Sequence, residues 1–164
     1  MPKITFMGAG STVFAKNVLG DSMMTPALAE STIALYDIDA QRLEDGSVVG
    51  HYTIRGDEFF LRGHFPGNPI VPGVILCEIL AQSAGILMQD SLTEDTIPMY
   101  TSMKNVRFRA PVLPGDLFET KCRITRAKHP FYFAEGEGYV GDTLCVKAEF
   151  SFGITEREVC FQRS

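Results

Sequence analysis

Along the C-terminal half of the chain apolar and polar residues tend to alternate, the mark of strands with one covered face. Residues 99–110 read as such a strand, Pro111 stops it, and Pro114-Gly115-Asp116 makes a turn. A further strand is predicted over 117–126, then a hairpin of 131–140 and 143–154 about Gly141-Asp142. Upstream the period changes. From Gly73 onward, VILCEILAQSAGILMQ carries apolar or small residues on nearly every side, which predicts a helix running inside the protein. A polar connection at 91–95 separates helix from strands, and IALYDIDAQRLEDGSVVGHYTI before it reads as strand, acidic turn at Glu44-Asp45-Gly46, and strand. The first residues follow another rhythm. KITFMGAGSTVF predicts a strand, a glycine-rich turn and a helix to about Met23 that Pro26 ends, ahead of a strand in STIALYDID. One buried helix followed by antiparallel strands predicts an α+β architecture, with residues 156–164 as a loose tail.

Two positions interrupt the helix's apolar surface. Glu78 is an acid in an apolar setting, so it is either neutral or partnered, and Gln82 lies one turn on along the same face. Burial would raise the pKa of such a carboxyl group and suit it to proton donation. Ahead of the helix stands FFLRGHFPGNPIVPG, in which Pro66, Pro69 and Pro72 fix φ and make the loop rigid. His64 sits within it, between Gly63 and the Phe65-Pro66-Gly67 turn, and an imidazole is the side chain suited to a general base. Gly73 would present a backbone N–H at the helix N-terminus, where the helix dipole favours developing negative charge. His51, on a predicted strand, and His129, before Pro130, have no comparable company and read as structural.

GHFPGNPIVPGVILCEILAQ, continued by MKNVRFRAPVLPGD, resembles the 3-hydroxyacyl-[acyl-carrier-protein] dehydratases of fatty acid synthesis over roughly residues 45–155. The resemblance implies the hot-dog fold, an antiparallel sheet wrapped around one long helix. It assigns catalysis to His64 and Glu78, with the Gly73 amide at the thioester oxygen and no cofactor or metal. It also implies a homodimer in which His64 of one chain meets Glu78 of the other, with stacking into a trimer of dimers left open. Phe65 and either Met99 or Tyr100 would line the acyl tunnel. Gln82 is expected to orient the acid. Other hot-dog chemistry, a coenzyme A hydratase or a thioesterase, is the alternative, though thioesterases generally lack the GHFPG histidine. A third reading is a fusion protein whose site is impaired, because the segment with which these dehydratases begin is missing.

Residues 1–44 resemble something else, the N-terminus of the NAD-dependent family-four glycoside hydrolases of the α-galactosidase type. Gly8, Gly10 and Asp37 stand in the order of a Rossmann-like βαβ fragment, but Val13 occupies the place of the third glycine. One βαβ unit is half a dinucleotide crevice, so no working NAD site is expected. The chain thus reads as a chimera: 1–44, 45–155 and a tail. Residues 33–37 are expected to serve as the first strand of the hot-dog sheet.

Composition narrows the setting. With 164 residues, 45% hydrophobic and 21% charged, the chain can bury one sizeable core. No apolar run reaches spanning length and no signal peptide is evident, so a cytoplasmic protein with no membrane partner is expected. Cys77, Cys122, Cys145 and Cys160 lie far apart, as free thiols would. A net charge of −5 excludes bulk nucleic-acid binding. Between positions 101 and 130, however, Lys104, Arg107, Arg109, Lys121, Arg123, Arg126 and Lys128 face only Asp116 and Glu119. Strand alternation alone puts such residues in water. The resemblance implies an acyl carrier protein, a strongly acidic partner, for the same residues.

Overall fold

The computed structural model describes residues 3–7, 32–36 and 39–156, and the chain divides into two compact units, Met1–Asp39 and Ala40–Ser164. In the first, β1 (Lys3–Met7) and β2 (Thr32–Tyr36) pair in parallel from Lys3↔Thr32 to Met7↔Tyr36. Gly8, Gly10, Val13 and Asp37, with the helix expected to Met23, lie outside the described residues, as do Cys160 and nearly all of the tail.

The large sheet is built from β3 (Asp39–Arg42), β4 (Ser47–Thr53), β5 (Thr96–Phe108), β6 (Leu117–Lys128), β7 (Phe131–Val140) and β8 (Thr143–Glu156). Its order is β3-β4-β6-β7-β8-β5. The pairs β4–β6, β6–β7, β7–β8 and β5–β8 are antiparallel. One assignment needs correcting. Residues 33–36 do not enter this sheet; they pair with β1, and β3 takes the edge beside β4. Arg42 of β3 donates from Nη1 to Asp90 Oδ2 (2.7 Å) and from Nη2 to the Ile86 carbonyl (3.0 Å), tying that edge to the end of the helix. A chain beginning at Asp39 is therefore expected to stay soluble and active. One beginning at Asp45 loses β3 and the Arg42 clamp, exposes the edge of β4, and should aggregate. Full activity of the shorter protein would refute this.

The helix, α1 (Gly73–Gly85), crosses one face of the sheet, where Leu76, Cys77, Ile79, Leu80, Ala81, Ser83 and Ala84 are buried. Pro72 precedes its first residue and no proline interrupts it, so the helix-forming run from Val74 to Gln82 continues unbroken. From Ile86 to Ser91 it tightens into a 3₁₀ turn. The sheet makes room for the helix at Gly136 of β7, where a Cβ would stand 3.2 Å from Leu80 Cδ2, and for its own Phe118 at Gly138, where a Cβ would stand 2.2 Å from Phe118 Cζ. Within this close contact Ser83 and Thr120 share a buried hydrogen bond of 2.6 Å.

The expectation of a helix buried all round holds for only part of its circumference. Val74 is 69% exposed, and Glu78 and Gln82, each four residues further, are half-buried on the same stripe. The acid thus faces away from the sheet rather than into it.

Candidate active site

The loop with His64 leaves the sheet and returns to it on the turn between β5 and β6. At one foot, Ile54 N–H donates to the Asp116 carbonyl (2.9 Å) and Gly115 N–H to the Ile54 carbonyl (2.6 Å); at the other, Val71 N–H donates to the Val112 carbonyl (2.9 Å). Gly63 (φ +81°) and Gly67 (φ +76°) bend the chain on either side of His64, in a region that side chains with a Cβ seldom adopt. His64 and Ile70 are joined twice. Ile70 N–H donates to the His64 carbonyl (2.8 Å), and His64 Nδ1 lies 3.0 Å from the Ile70 carbonyl. A carbonyl oxygen only accepts, so Nδ1 carries the hydrogen and Nε2 of the neutral ring keeps its lone pair. The Phe65 ring lies 4.5 Å from the imidazole and is 56% exposed.

Glu78 accepts a hydrogen bond from Gln82 Nε2 at 2.9 Å, the contact that spacing of one turn allows. At the helix N-terminus no side chain caps the first turn, and the intrahelical carbonyls are out of reach of the first amides. Gly73 is held at that point by close packing: a Cβ there would lie 2.7 Å from both Cε1 and Cζ of Phe108. Tyr100 reaches the same helix from β5, donating its hydroxyl to the Cys77 carbonyl (3.0 Å) and packing 5.1 Å from the Phe152 ring. Burial pushes its phenol far above the ordinary value, so Tyr100 stays a donor. Met99, 46% exposed, precedes it, and strand alternation sends it to the other side. Within one chain His64 and Glu78 thus make separate bonds, His64 to Ile70 and Glu78 to Gln82.

Two residues escaped the sequence reading. Phe108 was one more aromatic in an alternating strand, and only the ring's place over Gly73 distinguishes it. Glu58 is 1% exposed, with backbone amides bonded to its carboxylate; its one local signal is an acid two positions after Gly56.

The basic stretch is thinner than its count suggests. Lys121 pairs with Glu119 (3.0 Å), Arg123 with Glu135, and Arg126 lies over the Phe133 ring (5.0 Å). Arg107 and Arg109, at the end of β5, are exposed. His51 Nε2 bonds Glu119 (3.1 Å) on the sheet surface.

Comparison with known proteins places this arrangement. Residues 31–149 match the FabA-like domain family, and residues 3–56 match family 4 glycosyl hydrolases. A FabZ 3-hydroxyacyl-[acyl-carrier-protein] dehydratase of Nitratidesulfovibrio vulgaris is 40% identical over 114 residues, 68% of this chain and 74% of that protein. The FabZ of Fusobacterium nucleatum is 32% identical over 131 residues, 80% of this chain and 89% of that one. Among solved structures, the dehydratase heterocomplex ApeI:P from Xenorhabdus doucetiae aligns with TM-score 0.58 at 18% identity, over 72% of this chain and 97% of that one. A fluoroacetyl-CoA-specific thioesterase, FlK, aligns with TM-score 0.60 at 10% identity, over 70% and 95%. These two likenesses show the hot-dog fold and nothing finer. The matched family and the dehydratase relatives together show that this chain belongs to the FabA-like family, among the 3-hydroxyacyl-[acyl-carrier-protein] dehydratases.

Proposed function

We propose that the protein dehydrates 3-hydroxyacyl thioesters carried on acyl carrier protein to trans-2-enoyl thioesters in fatty acid biosynthesis. His64 Nε2 takes the proton from C2, protonated Glu78 delivers a proton to the C3 hydroxyl, and the C2–C3 double bond forms as water leaves. The Gly73 N–H stabilises charge on the thioester oxygen. The observation that carries this reading is the 3.0 Å bond from His64 Nδ1 to the Ile70 carbonyl, which leaves Nε2 as the proton acceptor. Gln82 holds the Glu78 carboxyl group in one orientation. Phe65 and Tyr100 border the acyl chain, whereas Met99, on the opposite side of β5, does not.

The site is completed in a homodimer, His64 from one chain and Glu78 from the other. Its support is the edge of the large sheet. β5 is the last strand in the order and carries exposed Met99, Met103 (50%) and Phe108 (55%) along an unpaired edge. Pairing of β5 with its own copy about a two-fold axis would cover that edge, and the half-buried Glu78 stripe favours the same closure. Buried free thiols at Cys77, Cys122 and Cys145 fit a reducing cytoplasm, and no helix among the described residues is long and apolar enough to cross a membrane. The overlap of the two family matches over residues 31–56 supports a chimera joined there.

The test is hydration of a crotonyl thioester, on carrier protein and on coenzyme A. Arg107→Glu with Arg109→Glu is expected to raise KM for the carrier-bound substrate roughly tenfold at low salt and to weaken its salt dependence, with the coenzyme A ester little affected. Equal losses on both would show that these arginines serve folding. No turnover of either thioester would refute the function itself.

A further inference from the structure

The chain holds a second glutamate more deeply than the one in the helix. Glu58 is 1% exposed, against the half-buried Glu78. Its Oε1 accepts the Arg55 N–H at 2.7 Å and its Oε2 the Gly56 N–H at 2.8 Å, so two successive backbone amides hold the two ends of one carboxylate. A buried acid usually serves catalysis or closes a network, and here the partners are backbone, just where the chain leaves β4. From Glu58 the backbone leads directly to the site. The Glu58 carbonyl accepts from Leu61 N–H (3.1 Å), which starts the 3₁₀ turn Phe59–Leu61, and the Leu61 carbonyl accepts from His64 N–H (3.1 Å). Phe60 and Leu61, the turn's inner residues, are buried. His64 is therefore two hydrogen-bonded steps from a clamped carboxylate, and its ring is fixed at the far side by Ile70.

We propose that Glu58 is a positioning residue for the dehydration: its carboxylate staples the start of the catalytic loop and thereby sets where His64 Nε2 stands. The inference rests on the proposed role of His64. Glu58 touches no substrate. Its effect runs through the backbone, so it should appear in kcat and leave KM nearly unchanged, because proton abstraction depends on placement far more steeply than binding does.

Glu58→Gln is nearly isosteric but sets an NH₂ group against one of the two backbone N–H groups, which opens that half of the staple. The full-length protein and this variant are compared in the crotonyl-thioester assay, and their histidine ring nitrogens are observed by ¹⁵N NMR, with His64→Ala used to assign the His64 signals. The expected result is a kcat lower by about 10- to 100-fold, KM within about twofold, and loss of the widely split His64 nitrogen signals that one fixed tautomer gives. Unchanged His64 signals with wild-type kcat would overturn the proposal, and so would a loss of activity that merely tracks the loss of folded protein. Should Glu58→Gln not fold, Glu58→Asp keeps the charge but falls short of one amide. It is expected to show the same pattern at smaller amplitude, and normal kcat with normal His64 signals in that variant would equally overturn the staple. If the wild-type protein proved inactive toward both thioesters, the dehydratase reading would fall, while the nitrogen signals would still decide whether Glu58 holds His64.

Discussion

His64→Ala and Glu78→Ala are each expected to lower kcat for dehydration about 1,000-fold or more, since each would remove one of the two proposed proton transfers. That factor corresponds to about 4 kcal/mol of transition-state stabilisation. The fold should survive both changes. Neither side chain belongs to the core; His64 loses one bond to a carbonyl and Glu78 one bond from Gln82, each costing about 1 kcal/mol. Near-native turnover in either clean variant would remove that residue from the mechanism. Mixing the two variants tests the shared site. If His64 of one chain serves Glu78 of the other, each mixed dimer holds one site with both groups intact. Random exchange should then restore about a quarter of wild-type activity. No recovery after demonstrated subunit exchange would show that each site is built within one chain.

Gly73→Ala is expected to be nearly as damaging, for a steric reason. The new Cβ would lie 2.7 Å from two carbons of the Phe108 ring and 3.2 Å from a third, well inside contact distance. Phe108 lies on β5, and in the proposed dimer that edge would be covered, which would keep the ring from swinging away. The relief would then be a shift of the first helical turn, and with it of the N–H proposed to face the thioester oxygen. Displacing one such donor costs on the order of 100-fold in kcat. Local helix propensity runs the other way, because alanine is the better helix residue. Thermal stability should therefore change little while turnover collapses. The double variant Gly73→Ala with Phe108→Leu is expected to regain much of the lost rate by giving the Cβ room. A single variant with wild-type kcat would mean that the amide takes no part.

The two acids show how far the sequence reaches. Glu78 stands out because it interrupts an apolar helical run, and helical spacing alone foretells its bond to Gln82 one turn on. Glu58 gives almost no such signal: it comes after Arg55-Gly56-Asp57 in a stretch that reads as a polar turn, yet it is the more buried of the two. Burial of a loop residue depends on what folds over it, which neighbours along the chain do not specify.

The local elements and the chemistry they carry are legible along the chain. Strands over 117–126, 131–140 and 143–154, one helix from Gly73, a rigid histidine loop ahead of it and the membership these imply all come from period, turn residues and motif, which act between neighbours along the chain. Tertiary structure alone decided which edges meet. Strand 32–36 has the β-propensity to join either sheet, and it pairs with β1 while Asp39–Arg42 takes the place beside β4. It also decided that α1 leaves the Val74–Glu78–Gln82 stripe only partly covered, that Phe108 sits over Gly73, and that Glu58 is buried at the base of the His64 loop. Each is a contact between residues distant in sequence or a burial set by such contacts. Propensity and periodicity carry no information about partners, because the free energy that selects them arises only when the surfaces pack.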